Sequence, residues 1–143
     1  MMRQAAYLVV LACIAGAAQA GVTATDAWVR GTVPAQKVTG AFVTLASTKE
    51  AKLVAVSTPA AKSAEIHASE EKGGIMQMHA VEAIALPAGK RVQLNPGGFH
   101  IMLVGLTRAL AAGDEVPLTL TIEEAGGKRA QVEVRARVRP LGQ

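Results

Sequence analysis

His67, Met78, His100 and Met102 stand in the spacing H-x10-M-x21-H-x-M. Imidazole nitrogen and thioether sulfur are neutral donors, and the sulfur is soft. Together they suit Cu(I); zinc sites draw on imidazole, thiolate and carboxylate, and calcium or magnesium sites on oxygen. Two His and two Met leave the ion with its own charge. Only the imidazoles would couple such a site to pH, weakening it as they take up protons. Taken singly, a methionine usually fills a gap in a core and a histidine usually sits at the surface. The chemistry therefore depends on whether the chain brings these four residues together.

Strands would do so. In an extended chain, side chains two apart share a face, with Cα atoms about 6.6 Å apart. In "FHIMLVGL", His100 and Met102 share one face, while Phe99, Ile101 and Leu103 form the core-facing set. Met76 and Met78 make a second same-face pair, and His67 lies with Glu65 opposite Ile66. "EEKGG" can reverse the chain between the His67 and Met78 segments, and the "PAGK" and "NPGG" turns can return it to His100. Two imidazoles and two thioethers then converge on one rim of a β structure. Met76 is read either as a substitute ligand or as an apolar rim contact, and His79, on the opposite face from Met78, as a surface residue.

The rest of the chain supplies the scaffold. "VPLTLTIEE" and "AQVEVRARVRP" alternate strictly, with "EAGGK" as the hairpin turn between them. "VTATDAWVR", "TGAFVTLAS", "KLVAVSTP", "SAEIHAS", "IMQMHAVEAIAL", "KRVQLN" and "FHIMLVGL" are further strand candidates. About nine short strands, with turns between them and no convincing helical period, predict an all-β fold, an antiparallel sandwich or barrel. "TRALAAGDE" is expected to be a short helical turn or a loop. Arg135, Arg137 and Arg139 line one face of the last strand, as a solvated surface or a dock for an acidic partner.

Residues 1–20 read as a secretory signal peptide: one charge at Arg3, an apolar run from Ala5 to Ala17, and the small-x-small pattern Ala18-Gln19-Ala20. The run is shorter than the ~20 apolar residues of a membrane span, so the protein is expected to be exported and not membrane-spanning. Its single cysteine, Cys13, lies in that run behind Val10-Leu11-Ala12, a poor lipid-attachment signal because Leu11 is bulky. Cleavage leaves residues 21–143 as one domain without cysteine, which excludes a blue-copper thiolate site and thiol–disulfide chemistry. The net charge of +4 is mild. With Trp28, Phe42 and Phe99 as the aromatics beyond the leader, nothing favours nucleic-acid binding. No Ser-His-Asp set, phosphate loop or paired carboxylates supports catalysis, so a non-enzyme is expected.

The four-residue spacing resembles the signature of the periplasmic copper chaperone family often written PCuAC. "DAWVR", "TGAFVTL", "MQMHAVEAIALPAGKRVQLNPGGFHIMLVGL" and "GDEVPLTLTIE" are similar to that family's segments, so the likeness covers nearly all of residues 21–143. The resemblance implies a cupredoxin-like Greek-key β-sandwich that binds one Cu(I) per chain through His67, Met78, His100 and Met102. It further implies a periplasmic carrier that passes copper, by ligand exchange, to copper-accepting oxidase assembly proteins and the dinuclear copper centre of cytochrome c oxidase. Copper buffering or tolerance with the same ligands is the alternative. Ala68 follows the first histidine where many relatives carry a polar residue or Met. The "RVRPLGQ" end lacks the His- and Met-rich tail of some relatives, so a second copper site is not expected.

Overall fold

The computed structural model describes residues 21–142; the leader, with Cys13, lies outside the described residues. Ten strands account for the fold: β1 (Val22–Arg30), β2 (Val38–Ser47), β3 (Ala51–Ser57), β4 (Ala61–Lys72), β5 (Ile75–Ala80), β6 (Ile84–Leu86), β7 (Arg91–Gln93), β8 (Phe99–Leu106), β9 (Glu115–Glu124) and β10 (Arg129–Arg139). They hydrogen-bond in the order β5-β4-β8-β2-β1-β10-β9-β3-β6, with β7 also pairing β2. Among the described residues no helix is long and apolar enough to cross a membrane.

Alternation explains the burial. In β9, Val116, Leu118, Leu120 and Ile122 are buried, and in β10 so are Val132, Ala136 and Val138. They join Ala41, Val43 and Leu45 of β2, Leu53 of β3, Ile84 and Leu86 of β6, and Ile101 and Leu103 of β8 in one core cluster. The two halves of the sheet path thus share one apolar interior, as a sandwich requires. The expected 75–86 strand is two strands on opposite edges: β5 pairs β4, whereas β6 pairs β3. Ile84 and Leu86 carry an apolar face that only the β3 side can bury, and the chain crosses over at Val81–Ala83 to place it there.

The pairing is not wholly antiparallel. β1 runs parallel to β10 through Trp28↔Arg137, Val29↔Val138 and Arg30↔Arg139. A bulge between Thr25 and Trp28 re-aims β1 where it takes up this second partner, with Asp26 in the left-handed region at φ 53°. The "TRALAAGDE" segment is a loop pinned by Asp114, whose carboxylate accepts from Ala111 N at 3.0 Å and Arg108 Nη1 at 3.1 Å. The Ala111 amide, and then Arg108, hold that carboxyl below its ordinary 3.8.

Candidate metal centre

Three strands build the candidate site, with β4 between β5 and β8. Glycines set the β4–β5 hairpin: Gly73 and Gly74 have φ of 60° and 79°, the conformation a two-residue I′ turn demands. That turn fixes the register, Ser69 facing Met78 and Glu71 facing Met76. On the other side of β4, His67 faces His100 and Glu65 faces Met102. Residues that pair directly share a face. Glu65, His67, Ser69, Met76, Met78, His100 and Met102 therefore lie on one surface of the sheet.

The "NPGG" turn anchors the histidine. Gly98 N donates to Asn95 O at 3.1 Å, and Asn95 N donates to Phe99 O at 3.0 Å. The Gly98 carbonyl then accepts from Ser69 N at 3.1 Å and lies 3.0 Å from His100 Nδ1. A carbonyl only accepts, so His100 Nδ1 carries the proton and Nε2 of the neutral ring keeps its lone pair. His100 is 4% exposed, and its Nε2 is the buried side-chain nitrogen or oxygen without a hydrogen-bond partner among the described residues. Leaving such an atom unpaired costs about 1–3 kcal/mol, an expense expected where a ligand supplies the missing contact.

Methionines share a cavity with that histidine. Met76, Met78, Met102 and His100 line one open cavity of about 370 Å³, with Val38, Gly40, Phe42 and Arg30. A Cβ on Gly40 would lie 2.9 Å from the Phe42 ring, so the glycine lets that ring fold under the site. Phe42 stacks on Trp28 at 4.3 Å, Arg139 covers Trp28 at 4.4 Å, and Arg30 lies 5.7 Å above Phe42. The place of Trp28 beside the candidate site depends on the β1–β2 register, in which it faces Phe42.

The His67 ring lies 5.7 Å from that of His100, centroid to centroid. With metal–nitrogen bonds of about 2.0–2.1 Å, two imidazoles on one ion have centroids roughly 5.2 Å apart at a tetrahedral angle and 6.4 Å at a linear one. The observed span falls between these limits. His67 lies beside the cavity, with Nε2 2.7 Å from a Glu65 carboxylate oxygen. The Met78 side chain must reach across Ser69 to approach His100, since β5 and β8 are separated by β4. Among the described residues no three His, Cys, Asp or Glu side chains gather as a hard-ligand metal site. The arrangement suits a soft ion held by nitrogen and thioether sulfur.

One expectation fails here. Phe99, read as core, is 40% exposed. β2 joins β8 only from Ile101 onward, so Phe99 has Ala68 as strand neighbour on one side and none on the other. His79 is exposed on the outer face of β5, and Met76 lines the cavity. Of Arg135, Arg137 and Arg139 on β10, Arg135 pairs with Glu115 at 3.3 Å.

Comparison with known proteins gives a consistent fold. The chain is similar to apo-DR1885 from Deinococcus radiodurans, with 32% identity, a TM-score of 0.63, and coverage of 98% of this chain and 93% of that one. That protein has also been solved in its CuI form, similar to this chain at 30% identity and a TM-score of 0.59, over 87% of this chain and 81% of that one. The copper-bound PCuAC domain of PmoF2 shares the fold at 21% identity, a TM-score of 0.67, and 84% and 93% coverage. The cupredoxin-like expectation agrees with these PCuAC folds. A relative named "Putative lipoprotein Lxx21020", from Leifsonia xyli subsp. xyli (strain CTCB07), is 33% identical over 118 residues, 80% of this chain and 70% of the relative. Matched from residue 22 to 134, the chain belongs to the family described as "Putative lipoprotein LpqE-like".

Proposed function

We propose that the protein is an exported, periplasmic metallochaperone that carries one Cu(I) on His67, Met78, His100 and Met102. The observation that carries this reading is the buried, unpartnered Nε2 of His100 in a cavity shared with Met76, Met78 and Met102. The likeness to a protein solved in its CuI form supports it. Neutral donors hold the ion without compensating its charge, so an acceptor's thiolates can displace them one at a time and the metal is never released free. Delivery toward the dinuclear copper centre of cytochrome c oxidase is the destination we assign. The protein acts as a carrier and not as an enzyme.

An anaerobic Cu(I) titration against a chromophoric chelator tests the reading. One copper withheld from the chelator per chain is the expected result, and complete surrender of copper to the chelator would reduce these methionines to surface packing. In cells, oxidase that fails to assemble without this protein and recovers with added copper is expected; copper sensitivity with normal oxidase would assign buffering instead. The relative's lipoprotein name brings Cys13 back into view as an acylation point. Intact mass of the exported protein should give a chain beginning at Gly21, whereas a lipid-bearing Cys13 would make it membrane-anchored.

A further inference from the structure

The two histidines offer different nitrogens. His100 gives its Nδ1 proton to the Gly98 carbonyl, which leaves Nε2 bare. His67 places Nε2 2.7 Å from Glu65 Oε2. A carboxylate accepts and does not donate, so Nε2 carries the proton and Nδ1 is the bare nitrogen of the neutral ring. Two rings in direct register across β4 and β8 thus face an ion with opposite tautomers.

Glu65 stands where an orienting group would. It shares the donor face, directly opposite Met102 and two residues from His67. The Glu65 side chain is 51% exposed and the His67 side chain 19%, so the carboxylate lies outside the imidazole. Among the described residues Glu65 has no cation partner besides His67. Metal-bound histidines commonly donate their second N–H to such a carboxylate, which fixes the tautomer and ring orientation and strengthens the donor nitrogen. It would also be the negative charge nearest an otherwise neutral donor set, one imidazole away from the ion.

We propose that Glu65 is a positioning residue of the copper site. Its carboxylate locks His67 in the Nε2–H tautomer, so that His67 binds through Nδ1 while His100 binds through Nε2. This rests on the Cu(I) reading above.

Nitrogen NMR of the 15N-labelled protein tests it, with silver(I) as a diamagnetic stand-in for Cu(I). The metal-free spectrum should show a proton on His67 Nε2 and on His100 Nδ1. Adding 109Ag(I) should split the signals of His67 Nδ1 and His100 Nε2. Glu65→Ala should mix the His67 tautomers and weaken Cu(I) binding about 10–100-fold. Glu65→Gln keeps an oxygen acceptor and should restore the tautomer and part of the affinity. Silver coupling at His67 Nε2, or copper held as tightly or more tightly by Glu65→Ala, would overturn the proposal, because Glu65 would then be a competitor or a bystander. A parent protein that binds neither ion fails the underlying reading; binding through the wrong nitrogen fails this inference alone.

Discussion

Changing His100 and Met102 together to alanine is expected to weaken Cu(I) binding at least about 10⁴-fold, roughly 5.5 kcal/mol, and to leave the copper-free protein folded. Loss of an outer partner of a metal ligand costs about 10–100-fold. Two groups in direct contact with the ion should each exceed the upper end of that range. The fold survives because the two effects on it oppose each other. Removing His100 loses contacts with the Phe42 and His67 rings, at 6.4 and 5.7 Å between centroids, but it also removes a buried nitrogen that has no partner. Met102 is only partly buried and lines the cavity. A chelator competition for copper and a thermal melt without copper read the two effects separately. Parent-like affinity would remove both residues from the ligand set, and an unfolded variant would make His100 a structural residue.

The reverse face of the same strand should behave in the opposite way. Ile101 is fully buried between Ile66 of β4 and Ala41 of β2, which are themselves buried. Ile101→Ala is expected to destabilise the protein by about 2–5 kcal/mol through lost burial and a residual cavity. The melting temperature should fall by on the order of 10 °C. Cu(I) affinity, measured well below that melt, should stay within a few-fold of the parent because no donor moves to a new face. A copper defect as large as that of the double variant would mean that the two faces of β8 are not separable.

The contrast between these neighbours was legible before any coordinates, because it follows from a period of two. His100 and Met102 fall on one side and Ile101 and Leu103 on the other, whatever β8 packs against. The strict alternation of residues 116–124 and 130–139 marked β9 and β10 for the same reason. Periodicity is silent about strand ends, and so it places Phe99 in the core although β2 stops pairing with β8 at Ile101 and leaves that residue uncovered. It is equally silent about long-range partners. Nothing in "DAWVR" tells that Trp28 sits beside Arg137 of a strand more than a hundred residues away, or that the two strands run parallel. "IMQMHAVEAIAL" has no Gly or Pro to show its break, which is imposed by where Ile84 and Leu86 find burial. The side-chain pairings within the candidate site were hidden too. That Glu65 and His67 share a face is readable, but that they touch, and that His100 Nε2 lacks a partner, depend on rotamers and on the Gly98 carbonyl.

The outer end of the β4–β5 hairpin contributes nothing to the interior: every residue from Glu70 to Ala80 is exposed, and β5 has β4 as its strand neighbour. In terms of local stability that end, with β5, is an opening unit of its own, able to fray at a free energy far below that of global unfolding. His100 and Met102 belong to β8, which is paired on both sides and cannot move without disturbing the core. Met78 rides on the part that frays. The site therefore has a fixed jaw and a loose one, and amide exchange should be fast along β5 and slow along β8. An ion held between them would lose its grip first at the sulfur of the edge strand, on the side open to an arriving partner.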